Sequence, residues 1–467
     1  MTTYLSTRGG AARKSFTDVL LEGLAPDGGL YIPDTFPTLD AATLSRLAGA
    51  SYSDVAMAVM TPFVGKDIPA ATLQKIIKDT YEGGEFNHAA IAPLVQIGPS
   101  TWILELFHGP TLAFKDYALQ LLGRLFDHVL EEKGQRVTIV GATSGDTGSA
   151  AIEACRGCKN IDIFILHPKG RTSEVQRRQM TTVDAPNVFN IALEGTFDDC
   201  QNAVKAMFAD EKFRGDMNLS AVNSINWARI MAQVVYYFYA GLALGAPNRT
   251  VSFAVPTGNF GNVYAAWVAK QMGLPISGLM IGSNRNDILT RFFETGTMKA
   301  NGVEPSLSPS MDIQISSNFE RYLCNLLGHD HAALKQYMES FKATGSFTLG
   351  DNAMKQARAD FAARRCNDDD TLSMMRDCYA ETGYLLDPHT AVGLHAAWQG
   401  RADSTIPVVA LACAHPAKFP DAVEKATGIR PALPPRLADL YERKEKLKIL
   451  DNSLSKIQAY IRESIKG

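Results

Sequence analysis

Arg136-Val-Thr-Ile-Val-Gly-Ala-Thr-Ser-Gly-Asp-Thr-Gly-Ser-Ala-Ala-Ile-Glu153 decides the fold. An apolar, strand-like run at 136–140 ends in a glycine-rich turn at 141–148, which opens onto a helix of small residues. The first turn of a helix has N–H groups with no helical acceptor, and the macrodipole adds positive charge there. Such a turn can receive an anion, although many α/β folds turn this way for packing alone. The pattern recurs downstream. Thr250-Val-Ser-Phe-Ala-Val255 leads through Pro256-Thr-Gly-Asn-Phe-Gly-Asn262 into Val263-Tyr-Ala-Ala-Trp-Val-Ala269.

Lys115 stands in His108-Gly-Pro-Thr-Leu-Ala-Phe-Lys-Asp-Tyr117, among apolar and aromatic neighbours at the expected start of a helix. Burial disfavours the charged form of an amine, and a neutral amine is what Schiff-base formation requires. A lysine beside a phenylalanine can also simply lay its stem along apolar surface. Two anion-receiving loops and a lysine of this kind together suggest a phosphorylated aldehyde cofactor and an anionic substrate.

Around these motifs, strand-like and helical runs alternate. Strands are expected at 101–107, 136–140, 161–166, 188–193, 250–255 and 406–412, and helices at 112–132, 147–156, 173–181, 197–209 and 227–244. This alternation implies an α/β protein with parallel sheets covered on both faces. Before residue 95 the pattern changes to helices near 39–47, 51–61 and 69–81, and Tyr31-Ile-Pro-Asp-Thr-Phe-Pro37 is too rich in proline for a central strand. In the tail, Leu447, Leu450, Leu454, Ile457 and Ile461 are spaced as one helical stripe.

The chain has 467 residues with 46 basic and 49 acidic side chains, so no basic excess points to nucleic acid. The uncharged stretch 230–247 carries Gln233, Gly241 and Gly245 and reads as a buried core helix, not a membrane span. No signal peptide is read at the N-terminus. Seven scattered cysteines suit a reducing cytoplasm, and Cys155 and Cys158 read as packing residues.

Taken together, the motifs resemble the threonine synthase family. The resemblance runs from Tyr4-Leu-Ser-Thr-Arg-Gly9 through the lysine motif, Ser144-Gly-Asp-Thr-Gly148 and Asn223-Ser-Ile-Asn-Trp-Ala-Arg229. It continues through Gly258-Asn-Phe-Gly-Asn262, Asn284-Arg-Asn-Asp-Ile288, Leu307-Ser-Pro-Ser-Met-Asp-Ile313, Ser317-Asn-Phe-Glu-Arg321, Asp387-Pro-His-Thr-Ala391 and Ala414-His-Pro-Ala-Lys-Phe419. It is similar to the longer microbial and fungal branch. The resemblance implies a fold type II pyridoxal-phosphate enzyme with two open, mostly parallel sheets. Four parts are expected: an N-terminal domain at 1–95, a large cofactor-binding domain at 96–130 and 221–430, a smaller α/β domain at 131–220, and a C-terminal helical extension at 431–467.

The implied reaction takes O-phospho-L-homoserine and water to L-threonine and phosphate, by γ-elimination and β-addition. A phospho-lyase releasing 2-oxobutyrate would use the same residues. A dinucleotide-binding oxidoreductase fits less well, because 141–148 lacks the Gly-x-Gly-x-x-Gly spacing and Lys115 goes unexplained. A non-catalytic binding protein leaves the intact lysine and loops without a purpose.

The resemblance implies Lys115 as the Schiff-base lysine. It implies Gly258, Asn259, Phe260, Gly261 and Asn262 as the cofactor-phosphate cup, and Cys413 at the cofactor's ring nitrogen. Asp146 falls at the position beside the ring oxygen, where an ionised carboxylate must either turn away or share a proton. Thr143, Ser144, Thr147, Asn226 and Arg229 are expected on the substrate, with Lys418 and Arg285 as further cations. His108, His389 and His415 are expected to orient loops. Asp387-Pro-His-Thr also reads as a helix N-cap followed by proline. No metal, nucleic acid or membrane partner is expected, and monomer and homodimer are both left open.

Overall fold

The computed structural model describes residues 2–143, 145–220, 224–401 and 403–466. The chain divides into two compact units, residues 1–114 with 224–431, and residues 115–223 with 432–467.

The first unit is built on a six-stranded sheet. From edge to edge its strands are Phe361–Arg365, Ile276–Ser283, Val251–Pro256, Val408–Ala412, Thr101–Glu105 and Leu94–Gly98. All pairs are parallel except the last, which is antiparallel. Both faces are covered, which is why the central strands Val251–Pro256 and Val408–Ala412 are largely apolar and do not alternate. On one face, Ala254, Ile103 and Ala410 pack with Met374, Leu394 and Val423 of three helices, Asp368–Thr382, Pro388–Gly400 and Pro420–Thr427. On the other, Tyr237 of helix Trp227–Ala243 meets Phe253 edge-on at 4.9 Å. The uncharged stretch from 230 lies in that helix and is buried through Phe238. Among the described residues no helix is long and apolar enough to cross a membrane.

The N-terminal segment of this unit pairs Tyr4–Ser6 with Tyr31–Pro33 in a two-stranded sheet, a position that tolerates proline. The helices expected nearby form at Ala41–Arg46, Tyr52–Val64 and Ala70–Tyr81. Asp40 and Ser51 cap the first two by accepting from the N–H groups of Thr43 and Asp54.

The second unit has a five-stranded parallel sheet in the order Lys448–Asp451, Val188–Glu194, Ile161–Pro168, Val137–Ala142 and Leu219–Ser220. Its core on one face joins Phe164, Leu166, Ile191 and Leu193 to Met207, Phe213, Ile457 and Ile461. The tail thus differs from the single helical stripe expected of it. Lys448–Asp451 is a strand, and only Leu454–Lys466 is helical. The reason is the edge of Val188–Glu194, whose backbone groups require a partner and take the tail strand in parallel. Leu447 and Leu454 are left exposed, while Ile457 and Ile461 are buried.

Cys155 and Cys158 are free thiols. Burial pushes Cys155 well above the ordinary thiol value and Cys158 up to about 12, so both stay protonated and serve as packing groups. Helix Lys115–Lys133 lies against helix Asp146–Cys155, and a Cβ at Gly123 would sit 2.2 Å from the Ala154 carbonyl oxygen. Helix propensity alone favours alanine over an interior glycine by about 1 kcal/mol. The close approach reverses that sign. Gly123→Ala is expected to destabilise the protein by ~1–3 kcal/mol, read as a lower urea midpoint.

His167 is buried in strand Ile161–Pro168. Burial lowers its pKa, Arg177 adds to the effect and Glu445 opposes it. The folded chain therefore resists protonation that the unfolded chain accepts near the ordinary histidine value of about 6.5. Stability is lost as pH falls below that value, by at most about 1.4 kcal/mol per pH unit for this one proton. His167→Phe should flatten the acid limb of the stability–pH curve and leave stability at pH 8 little changed.

Candidate active site

In the second unit, Lys115 opens helix Lys115–Lys133, and its Nζ lies 3.2 Å from Asp146 Oδ2. Both side chains are largely buried. Asp146 begins helix Asp146–Cys155, at the end of the first glycine turn. Its other oxygen, Oδ1, accepts from Gln176 Nε2 at 2.8 Å. The Asp146 carboxylate thus lies between a lysine and a glutamine. Thr143 Oγ1 accepts from the N–H groups of Gly145 and Gly148, at 3.0 and 2.9 Å, so this hydroxyl holds the turn itself together. Thr147 is half-buried. Ser144 lies outside the described residues.

In the first unit, the segment leading to the lysine is laid along the end of strand Val408–Ala412. Phe114 N–H donates to the Cys413 carbonyl at 2.8 Å, and His415 N–H donates to the Leu112 carbonyl at 3.0 Å. The buried Lys418 donates its ammonium to the Thr111 carbonyl at 2.8 Å.

The second glycine loop opens helix Gly261–Gln271, and no side chain caps that helix. The loop's carbonyls are occupied. Ser316 Oγ donates to Gly258 O at 2.7 Å. Asn318 donates to Asn259 O twice, from its backbone at 3.0 Å and its side chain at 3.1 Å. Holding the carbonyls on one side leaves the N–H groups of the helix start for an anion. Phe260 has φ of 64°, a left-handed conformation that costs a bulky residue about 1–2 kcal/mol. Its ring is held edge-on by Phe319 and Phe361, at 5.2 and 5.5 Å. Phe260 thus offers the loop a backbone N–H, while its ring belongs to the core.

Asn262 accepts at Oδ1 from the hydroxyls of Tyr236 and Tyr237, which fixes the direction of its amide. Its Nδ2 then points at Cys413 Sγ, 3.8 Å away. Asn226 caps helix Trp227–Ala243 by accepting from Ala228 N–H at 3.0 Å, and its Nδ2 donates to Leu20 O at 2.8 Å. Arg229, in the first turn of that helix, is buried, and its Nε and Nη1 find no partner among the described residues. Burial pushes its pKa down to about 10, so it remains a cation at neutral pH.

The other expected residues are structural in their contacts. Arg285 pairs with Asp368 at 3.1 Å. His108 Nε2 meets Glu105 Oε2 at 2.7 Å, and His415 accepts from Ala417 N–H at 3.1 Å. Asp387 caps helix Pro388–Gly400 and holds His389 Nδ1 at 2.8 Å. Sequence reading missed Gln176, Ser316, Tyr236 and Tyr237. None lies in a glycine turn, and only their partners across the fold show what they do.

A loop that presents N–H groups to an anion, and a lysine beside a buried carboxylate on a parallel α/β scaffold, fit pyridoxal phosphate. Residues 91–413 match the family described as "Pyridoxal-phosphate dependent enzyme", and the chain is an enzyme of that class with the fold type II architecture. Residues 3–81 match "Threonine synthase N terminus" and residues 390–461 match "Threonine synthase, C-terminal". The chain is 54% identical to a threonine synthase of Pseudomonas aeruginosa, covering 98% of this chain and 97% of that protein. The solved structure of PLP-bound threonine synthase from Brucella melitensis is similar at TM-score 0.98 and 53% identity, covering all of both chains. That of the yeast threonine synthase has TM-score 0.95 and 41% identity, covering 99% of each. The chain belongs to the threonine synthase family.

Asn318→Asp keeps an acceptor for Arg321 but replaces the side-chain donor to Asn259 O with a second acceptor. The protein should still fold, and its affinity for pyridoxal phosphate should fall about tenfold or more, the equivalent of one charge-assisted hydrogen bond. Titrating cofactor-free protein and following the near-visible absorbance measures it.

Proposed function

We propose that this protein converts O-phospho-L-homoserine and water to L-threonine and inorganic phosphate, with Lys115 as the residue that bonds the cofactor. The observation that carries the substrate assignment is Arg229, a buried guanidinium whose Nε and Nη1 have no partner among the described residues. A buried charge without an opposite charge is costly, and a doubly anionic phosphate ester on the substrate would satisfy it. Thr147 and the turn around it suit the substrate carboxylate, with Ser144 expected to join them.

Pyridoxal phosphate supplies the electron sink that makes a carbanion beside the amino group accessible. The chain's residues supply the rest. The Gly258–Asn262 loop takes the cofactor phosphate on its backbone N–H groups. Cys413 offers a neutral thiol to the ring nitrogen, too weak a partner to hold a proton there. With substrate bound, the Lys115 amine would be the base that takes the proton from Cα. Loss of a Cβ proton then lets phosphate leave from Cγ. A proton is returned to Cγ, which becomes the methyl group of threonine. Water adds its hydroxyl at Cβ and leaves its proton with the phosphate, and a proton is returned to Cα. Asp146, beside Lys115, favours the ammonium form whenever the amine has accepted a proton. The seven thiols, none in a disulfide, suit a cytoplasmic enzyme.

The test is a product balance on purified holoenzyme given O-phospho-L-homoserine. Phosphate and L-threonine should appear one for one, and Lys115→Ala should lose both products and the cofactor's near-visible band. Phosphate matched by 2-oxobutyrate would instead make the protein a phospho-lyase. Turnover retained by Lys115→Ala would remove the assigned role of that lysine.

A further inference from the structure

We infer that Gln176 is a positioning residue, whose side-chain amide holds the Asp146 carboxylate against Lys115 and so sets how readily that lysine gives up its proton. The inference rests on the reading of Lys115 as the cofactor-bonding lysine.

Gln176 lies in the first turn of helix Glu174–Thr181, where Ser173 is the N-cap. Ser173 Oγ donates to Gln176 Oε1 at 2.8 Å. With the oxygen of the amide fixed in this way, the nitrogen must point the other way. It does so, donating to Asp146 Oδ1 at 2.8 Å. Gln176 and Asp146 are both buried, 6% and 5% exposed, so little competing water weakens the contact.

The backbone makes room for this arrangement. Gly145 has φ of 153°, and a Cβ there would lie 2.5 Å from Gln176 Cδ. Only glycine lets the amide cross the peptide just before Asp146. The second glycine of the turn is therefore explained by Gln176.

The donor–acceptor logic has a chemical consequence. Gln176 Nε2 can only donate, so Asp146 Oδ1 must be an acceptor. A proton carried by this carboxyl would then sit on Oδ2, the oxygen 3.2 Å from Lys115 Nζ. Gln176 thus directs the carboxylate's proton-exchanging edge at the lysine. Without it, the carboxylate loses the donor that fixes Oδ1, and its field at Lys115 changes.

The experiment uses full-length, cofactor-free protein. Brief pulses of acetic anhydride, with which an amine reacts only in its neutral form, are applied between pH 6 and 11. Mass spectrometry then follows Lys115 against the exposed Lys444 as internal control. Asp146→Asn should lower the midpoint for Lys115 by about one pH unit or more. Gln176→Met, which keeps the volume, should shift it the same way by less. The double variant should match Asp146→Asn alone, because Gln176 acts only through Asp146. Ser173→Ala, which frees the amide to turn without altering Gln176, should give a smaller shift in the same direction and stands in if Gln176→Met fails to fold. A wild-type midpoint in Gln176→Met would overturn the inference. So would a double variant that adds the full Gln176 shift to that of Asp146→Asn. Neither readout depends on turnover, so the product balance above and this titration can fail independently.

Discussion

The buried guanidinium of Arg321 ties together the parts of the first unit that the Gly258–Asn262 loop depends on. Its Nε donates to the Tyr31 carbonyl at 2.9 Å, and its other nitrogens reach Asn318 Oδ1 and the Ile225 carbonyl. Burial pushes its pKa down to about 10, yet it stays charged at neutral pH. A cation taken out of water needs several acceptors to offset the loss of hydration. Those acceptors lie in the N-terminal strand, before the long buried helix, and in the clamp on the glycine loop. Next to it, Glu320 accepts from Thr7 and pairs with Arg8, anchoring the N-terminal segment to the same helix.

From that hub, the loop's chemistry follows as a matter of direction. Asn318, held by Arg321, turns its own donors onto the Asn259 carbonyl. Ser316 does the same for Gly258. The peptide units are fixed with oxygens toward the clamp, so an uncharged loop can bind an anion without lysine or arginine. The left-handed Phe260 is the cost of this geometry, and the aromatic cluster around its ring offsets it. Tyr236 and Tyr237 extend the same control to Asn262, whose amide can then face only one way.

In the second unit, charge is managed differently. Lys115 and Asp146 are nearly buried, and the carboxylate is aimed by Gln176 from a neighbouring helix. The helix that carries Lys115 is kept in register by the contact at Gly123, where a missing side chain lets two helices touch. The buried Cys155 and half-buried Cys158, whose thiols burial keeps protonated, fill space near this contact.

Much of this was legible in the chain. Alternating apolar and amphipathic runs dictated the parallel sheets, and the two glycine turns and the Lys115 motif stood at the helix starts where they were expected. These are local signals, because strand and helix periodicity and turn conformation are set within a few residues. The tail shows where local pattern misleads: Leu447 and Leu450 fit a helical stripe, but the open edge of Val188–Glu194 drew the segment into a strand. The partners that aim each functional group were also beyond local reading. Gln176 is 30 residues from Asp146, and Asn318 is 59 from Asn259. The sequence by itself determined which elements form and which residue types stand at their ends. Only the tertiary structure decided which way each amide, carboxylate and carbonyl points, because that direction is chosen by hydrogen-bond partners the chain brings together on folding.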